Sequence, residues 1–420
     1  MLQNIPFEQA CRVLLDRCGV MPLETVPLTR AHGRVLAADL VAEVSVPAFD
    51  RSPYDGYAFI AADAVSAGKD NPVSLRVIGE AAAGCVPEYR VSSGEAYKIF
   101  TGALVPEGAD AIVKYEDTDA GPSAGAAGSI VRLFTPALRP DIIRAGEDVK
   151  EGDLVAPAGA SIDAALAASL AAQGFDRVRV YKRPVVGILS TGAELAEPGD
   201  APENGKIIDT NRYSLEGVCL AAGAETVWLG VVGDDAEEIA ARLRLLDACD
   251  MIFLTGGVAG SEHDLTQRAL KLLGAEILVE RVQLKPGGAC VYAAMDGKLI
   301  CGFSGSPAAA MVNYFAVVRP VLRKLCGLKE YMNTEIQAAL SEDYPKKSAG
   351  TRIIRGRLDL SDGTVRIKTE RRLRTERRPR ADDQGNTVLR SLIGCDVAAI
   401  IPKGSPSLPR GTVLKAFWLN

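Results

Sequence analysis

Val185-Val186-Gly187-Ile188-Leu189-Ser190-Thr191-Gly192-Ala193-Glu194, which follows Pro184, is the stretch whose reading decides the fold. Val185 to Leu189 is a near-continuous apolar run, and it breaks directly into a turn of small polar residues. The pattern returns at Glu225 to Val232 and at Met251 to Leu254, the second of which runs into Thr255-Gly256-Gly257. Helical patterns at Ser214 to Ala222 and Glu237 to Leu246 lie between the runs. Apolar runs alternating with helices mark a parallel sheet buried on both faces, because each crossover helix covers the sheet it leaves. A further helix, strands near Ile277 to Val282, Ala289 to Tyr292 and Leu299 to Phe303, and a closing helix from Pro307 complete an α/β domain over residues 181–327.

On either side of this domain the texture changes. Residues 1–45 carry a helical pattern (Phe7, Cys11, Leu14, Leu15) and, with 142–180, read as a helical arm. Within 142–180, Asp163 to Gln173 has an apolar face at Leu166 and Leu170, and Val178 to Tyr181 before Pro184 marks a boundary. Residues 46–141 hold short β-type runs (Val73 to Ile78, Ala96 to Phe100, Ala111 to Tyr115) and a Gly/Ala/Ser loop at Ala120 to Ser129, which predicts an inserted β domain. After Gly327 short β runs resume and end at Val413 to Trp418, so residues 328–420 form a second β domain. The expected fold class is therefore multi-domain α/β and β.

At roughly 150 residues per domain, a chain of 420 residues predicts two to four domains. Lys plus Arg number 48 against 53 Asp plus Glu, a net charge of −5, which argues against nucleic acid or an anionic membrane and for a small molecule or a protein as partner. No apolar run approaches the roughly 20 residues that span a bilayer, and Met1 to Phe7 lacks a basic segment before an apolar one, so the expected location is the cytoplasm. The nine cysteines include no C-x-x-C and read as buried thiols of a reducing compartment. With only His32 and His263, a metal here would be a hard cation on carboxylates.

Open α/β sheets bind ligands outside the carboxyl ends of their strands, where loops and helix N-termini converge. Four small-residue loops fall at such ends: Ser190-Thr191-Gly192-Ala193-Glu194, Asp209-Thr210-Asn211, Thr255-Gly256-Gly257 and Ser304-Gly305-Ser306-Pro307. Glycine lets backbone N–H groups approach an anion, and Ser before Pro at a first helical turn is a cap, so a phosphate or a pterin-like heterocycle fits. Each loop alone reads as a tight turn or N-cap before a binding loop; their common edge carries the functional reading. Glu194, Asp209, Asp234 and Asp264 accompany them, a set able to hold Mg²⁺ against a phosphate ester. Elsewhere, Tyr54-Asp55-Gly56-Tyr57 and Gly146-Glu147-Asp148 pair carboxylates with glycine turns. His263 is read as a solvent-facing neighbour of a helix cap before a proton donor. The arginines at 371, 372, 374, 377, 378 and 380 are read as a solvated hairpin face before a binding patch.

These residues resemble a known family. Pro47 to Ala58 (Pro-Ala-Phe-Asp-Arg-Ser-Pro-Tyr-Asp-Gly-Tyr-Ala), Thr101-Gly102-Ala103 with Pro106 to Ala111, and Arg144-Ala145-Gly146-Glu147-Asp148 are similar to motifs of the molybdopterin molybdenumtransferases, the family of MoeA and the gephyrin E domain. So are Ser190-Thr191-Gly192 with Glu194-Leu195, Asp209-Thr210-Asn211, Thr255-Gly256-Gly257-Val258 and Lys285-Pro286-Gly287, all in family order from about residue 5 to residue 405. The resemblance implies a three-layer molybdopterin-binding α/β domain of the MogA and MoaB kind, with a helical arm, an inserted β domain and a C-terminal β-barrel-like domain. It implies a reaction in which adenylylated molybdopterin and molybdate give molybdenum cofactor and AMP, with Mg²⁺ on Glu194, Asp209 and Asp264. It implies a homodimer in which Asp55, Thr101 and Asp148 of one subunit reach toward Glu194, Asp209, Asp234 and Asp264 of the other, with Asp55, Thr101, Asp148, Glu194, Asp234 and Asp264 as catalytic residues. The molybdopterin and AMP contacts map to Ser190, Thr191, Gly192, Asp209, Asn211, Thr255, Gly256, Gly257, Ser304, Gly305, Ser306 and Pro307. It raises a molybdopterin adenylyltransferase and molybdoenzymes as further partners, and neither nucleic acid nor membrane.

Three departures bear on the oxyanion. The Lys-Pro-Gly-Lys-Pro motif reads Lys285-Pro286-Gly287-Gly288-Ala289, so its second lysine is gone; Ser-Val-Gly after the Gly-Gly turn reads Ala259-Gly260-Ser261; and Leu-Pro-Gly-Asn-Pro reads Phe303-Ser304-Gly305-Ser306-Pro307. Tyr54 also stands in place of methionine. Molybdate is expected on Lys285, on Arg352 or Arg355, and on Arg390-Ser391, where the family has Ser-Ser. Two readings follow: a working transferase for molybdate or tungstate with Arg390 restoring the lost charge, or a non-catalytic carrier, scaffold or assembly factor. Whether Gly288 and Arg390 share one pocket separates them.

Overall fold

The computed structural model describes residues 1–121, 126–136, 141–200, 204–258, 265–361, 365–369, 384–385 and 387–419. The chain forms two compact units, one of Met1–Ala38, Ala158–Asp163 and Val178–Asn420, the other of Asp39–Pro157 and Ala164–Arg177.

The first unit is organised by a seven-stranded sheet in the order Leu2–Ile5, Glu276–Val282, Cys290–Met295, Lys298–Phe303, Met251–Thr255, Val185–Thr191, Glu225–Val232. Only Cys290–Met295 runs antiparallel to its neighbours. The apolar runs expected as buried strands are strands, and their side chains alternate between two cores. Ile188, Phe253 and Cys301 face one core, with Leu215 of helix Asn211–Ala221 and Leu14 of helix Phe7–Arg17. Leu189, Leu254 and Ile300 face the other, with Ile239 of helix Ala236–Leu243 and Leu270 of helix Leu265–Leu272. A sheet so buried on both faces needs no polar alternation, which is why its strands read as plain apolar runs. Phe253, Phe303 and Tyr314 add edge-to-face ring contacts at 5.3 and 6.0 Å. Cys290 and Cys301 are core residues, and of the nine thiols Cys85 alone is exposed. Burial pushes the Cys290 thiol up to about 11.

The arm expected over residues 1–45 is where the structure departs from the sequence reading. Leu2–Ile5 is a strand, parallel to Glu276–Val282 with Leu2 opposite Val279, and Phe7–Arg17 packs into the α/β core. Periodicity located the helix, but spacing says only that one face is apolar, not which surface covers it.

The same unit carries a closed five-stranded barrel in the order Glu335–Leu340, Arg366–Thr369, Arg352–Asp359, Val397–Ile401, Val413–Trp418. Leu340, Ile354, Ile367, Val397 and Ala416 fill it. Closure is tight at Gly356, where a Cβ would lie 2.5 Å from Ile367. The arginines at 371, 372, 374, 377, 378 and 380 lie outside the described residues.

The second unit holds a five-stranded sheet in the order Ala111–Lys114, Gly56–Phe59, Glu95–Ile99, Val73–Ala81, Ile130–Leu133. Gly56 is obligatory there, since a Cβ would stand 1.8 Å from the Val113 carbonyl. Helix Ala164–Ala172 is followed by Gln173, whose amide oxygen accepts from the N–H groups of Glu43 and Val44. Among the described residues, no helix is long and apolar enough to cross a membrane.

Candidate active site

The carboxyl ends of three neighbouring parallel strands bring the predicted loops together. Ser190 Oγ donates to Asp209 Oδ2 at 2.6 Å, and Thr255 Oγ1 donates to Ser190 Oγ at 3.3 Å. Asp209 Oδ1 accepts from the N–H groups of Asn211 and Arg212 at 3.0 and 3.3 Å, so this buried carboxylate caps helix Asn211–Ala221. Thr191 Oγ1 donates to the Thr255 carbonyl at 3.1 Å, and Asn211 Nδ2 to the Gly305 carbonyl at 2.9 Å. The loops at 190, 209, 255 and 305 are thus one hydrogen-bonded ring.

Glycine allows the close approach. A Cβ at Gly256 would stand 2.4 Å from the Thr191 carbonyl, and Gly256 also has φ +92°, a left-handed conformation. A single polar atom of the ring stays unsatisfied: Asn211 Oδ1 is buried without a hydrogen-bond partner, although the residue is only 7% exposed. Buried acceptors in native proteins are nearly always paired, so an unpaired one at a sheet edge marks a place where a ligand donor belongs.

The carboxylates behave differently. Glu194 is exposed and its carboxylate lies over Gly192, while Asp234 is exposed in the loop after Glu225–Val232, next to Asp235, which caps the following helix by accepting from the Glu238 N–H. Asp264 and His263 lie outside the described residues. Among the described residues no three His, Cys, Asp or Glu side chains converge. Both Asp209 oxygens accept hydrogen bonds, and of the expected Mg²⁺ set of Glu194, Asp209 and Asp264 the last lies outside the described residues.

In the second unit, the segments around residues 47–58, 101–103 and 144–148 also converge. Asp55 Oδ1 accepts from both the N–H and the hydroxyl of Thr101, at 2.8 and 2.7 Å, and these two donors hold its carboxyl below the ordinary range. Partial burial raises the Asp50 carboxyl, but the Ala145 N–H and the Arg144 guanidinium at 2.6 Å outweigh it and hold it low. Asp148 is exposed on the turn that Gly146 (φ +71°) begins. Tyr54 donates to Asp141 at 2.8 Å, with the Lys114 ammonium 4.9 Å from its ring centre.

The anion contacts divide sharply. A cavity of about 670 Å³ in the first unit is lined by Lys285, Arg352, Arg281 and Lys403, and by Gly288 and Ser304. No carboxylate is among its lining residues, and none of the four cations has a hydrogen-bond or ion-pair partner among the described residues. Arg352 even buries its Nε unpaired. Backbone bonds join the two walls, from Lys285 N–H to the Thr351 carbonyl at 2.9 Å and from Ile353 N–H to the Lys285 carbonyl at 2.8 Å.

Between Arg352 and Arg355, the strand's alternation decides. Arg352 lines the cavity, whereas Arg355 is fully buried on the outer face of the barrel wall, the face of Ile353 rather than of the barrel-filling Ile354, with Nη2 donating to Ser391 Oγ at 2.6 Å and its backbone paired to Gln384. Arg390 is exposed and, like Ser391, does not line the cavity, so Gly288 and Arg390 do not share a pocket. Reading by motif missed Arg281 and Lys403, which lie in no family motif. Their neighbourhood arises from the loop at 282–288 folding back and from barrel closure, neither of which leaves a local sequence pattern.

Known proteins place this architecture. A family model described as the MoeA N-terminal region (domain I and II) matches residues 5–174, and one described as a probable molybdopterin binding domain matches residues 187–324. A molybdopterin molybdenumtransferase of Staphylococcus aureus (strain COL) is 33% identical over 368 residues, covering 86% of each chain. That of Bacillus subtilis (strain 168) is 34% identical over 363 residues, covering 86% of this chain and 84% of the relative. The crystal structure of a molybdopterin biosynthesis MoeA protein from Pyrococcus horikoshii OT3 superposes with a TM-score of 0.78 at 29% identity, covering 99% of this chain and 100% of that one.

Proposed function

This chain belongs to the molybdopterin molybdenumtransferase family, and from that premise we propose that it transfers molybdenum from molybdate to adenylylated molybdopterin, releasing AMP. The observation that carries the reading is the carboxylate-free cavity with Lys285 and Arg352 on its wall, beside Ser304 of the loop ring. A carrier for the pterin alone has no use for cations without partners among the described residues at that place; a transferase must hold a doubly charged oxyanion beside it.

In this reading the loop ring binds the pterin and the nucleotide. Asn211 Oδ1 accepts from a ligand N–H, and the glycines at 192, 256 and 257 let the chain's own loops close up around that place. Breaking the phosphoanhydride-like link calls for positioning and neutralisation of developing charge rather than a covalent nucleophile. Mg²⁺ would supply part of that neutralisation; Glu194 and Asp234 are the described carboxylates at this edge with open oxygens. The reading extends to a cytoplasmic homodimer in which Asp55, Thr101 and Asp148 act on the partner's site. Asp55→Ala and Glu194→Ala, each inactive, are expected to regain activity as mixed heterodimers, and verified heterodimers without recovery would refute the shared site.

The deciding experiment is AMP release from adenylylated molybdopterin by the purified protein, with molybdate, with tungstate and with neither. Oxyanion-dependent release is expected. Tight pterin binding without release would favour the carrier reading, which is supported by the loss of a cation at Gly288 and by the position of Arg390 outside the cavity that Gly288 lines.

A further inference from the structure

We propose that Arg281 and Lys403 bind the oxyanion together with Lys285 and Arg352, supplying the positive charge that the chain lacks at Gly288; the inference rests on the oxyanion reading of the cavity above. Gly288 itself is packed too closely to carry a side chain. A Cβ there would meet the carbonyl oxygens of Leu284 and Val282 at 2.7 and 2.8 Å, both backbone atoms that cannot swing away.

Arg281 adjoins that spot. The Val282 N–H donates to the Gly288 carbonyl at 3.0 Å, which sets the residue before Val282 beside the missing lysine's position. Arg281 also has φ +63°, a left-handed conformation that a long side chain adopts only where its surroundings impose it. Lys403 comes from the barrel side, in the turn after Val397–Ile401. The following Gly404 N–H donates to the Ser348 carbonyl at 2.7 Å, which ties this turn to Ala349 and Gly350 on the cavity wall.

Electrostatics then selects the ligand. Among the described residues no side-chain partner offsets these four cations, three of them exposed, and a compact dianion is attracted by all four at once. The space suffices: four oxygen-sized atoms fill roughly 120 Å³ at about 30 Å³ each, against about 670 Å³ available. Side chains as long as arginine and lysine therefore have room to close on the anion.

The test is calorimetric titration of the full-length protein with molybdate, and in separate runs with sulfate and phosphate. Arg281→Asn keeps a residue suited to left-handed φ while removing the charge, and Lys403→Gln removes the other. Each is expected to weaken molybdate binding roughly tenfold, as loss of a charge-assisted contact does, and the pair together more, with pterin affinity unchanged. Arg281→Lys, charge retained, is expected to bind within about threefold of the parent protein. Melting in anion-free buffer should not fall in Lys403→Gln, since the exposed Lys403 has no side-chain partner among the described residues. Should Arg281→Asn fail to fold, Arg281→Lys and Lys403→Gln still decide. Binding unchanged in Lys403→Gln and in the double variant, while Lys285→Gln loses it, overturns the proposal. If the parent binds sulfate or phosphate but not molybdate, the molybdenum reading falls, and the same variants judge the cation set with the anion that binds.

Discussion

The loop ring at the sheet edge and the cation cavity lie in the same unit, yet they solve opposite problems. In the ring, Ser190, Thr191, Asp209 and Thr255 are held by one another and by neighbouring backbone groups through bonds of 2.6–3.3 Å, which leaves the buried Asn211 Oδ1 for a ligand donor. In the cavity, Arg281, Lys285, Arg352 and Lys403 are lining residues with no counter-charge among the described residues. A satisfied polar network stabilises the fold and is rigid; a set of like charges, three of four exposed, contributes little to the fold and gains from an anion. Mutation should therefore hurt stability in the ring and affinity in the cavity.

The largest effect is expected for Asp209→Ala. It strips the acceptor from the buried Ser190 hydroxyl and from the Asn211 and Arg212 N–H groups, each of which costs about 1–3 kcal/mol when left unpaired. Urea unfolding should show a loss of about 3 kcal/mol; a loss under about 1 kcal/mol would mean the ring is not the stabilising network described. Next comes Gly288→Lys, which restores the family residue. The Leu284 and Val282 carbonyls leave no room for its Cβ, so we expect a loss of about 1–3 kcal/mol, as for other overpacked sites, and no gain in molybdate affinity. A variant as stable as the parent that binds molybdate more tightly would break the contrast, because the charge could then simply be put back. Smaller still in stability is Lys285→Gln, expected within about 0.5 kcal/mol in anion-free urea titrations while molybdate binding weakens roughly tenfold. Equal damage to both quantities would remove the distinction between the two regions.

The same contrast explains what the sequence made legible. The apolar runs at Val185 to Leu189 and Met251 to Leu254 fixed the sheet, and small residues at the run ends located the ring, because both signals are local. The N-terminal strand Leu2–Ile5 was not legible: four residues, mostly exposed, gain their identity only by pairing with Glu276–Val282 far along the chain. Arg352 and Arg355 sit three apart on one strand, and a strand sends residues of unlike parity to opposite faces, so the two could not both line the cavity. Which went where depended on how the barrel closed. Arg281 and Lys403 were missed for the same reason, since a cavity wall assembled from a loop and a distant turn has no spacing to read.

Asp55 in the second unit extends the comparison to a carboxylate that is satisfied but exposed. Its Oδ1 takes the Thr101 N–H and hydroxyl, and these bonds lower its carboxyl below the ordinary value of 3.8. A carboxyl lowered on folding contributes stability above its unfolded value and loses it as pH falls through the folded one. Asp55→Asn removes the charge that those donors favour, while its amide oxygen still accepts one of them. The parent should therefore melt slightly higher than the variant near neutrality, and the gap should close as pH drops below about 4. Because the group is exposed, solvent keeps this gap the smallest of those predicted. Thermal melting of both proteins across that range reads it directly. A gap that persists unchanged at low pH would assign the loss to geometry at Thr101 rather than to charge, and would make Asp55 a neutral turn-former like the ring's hydroxyls.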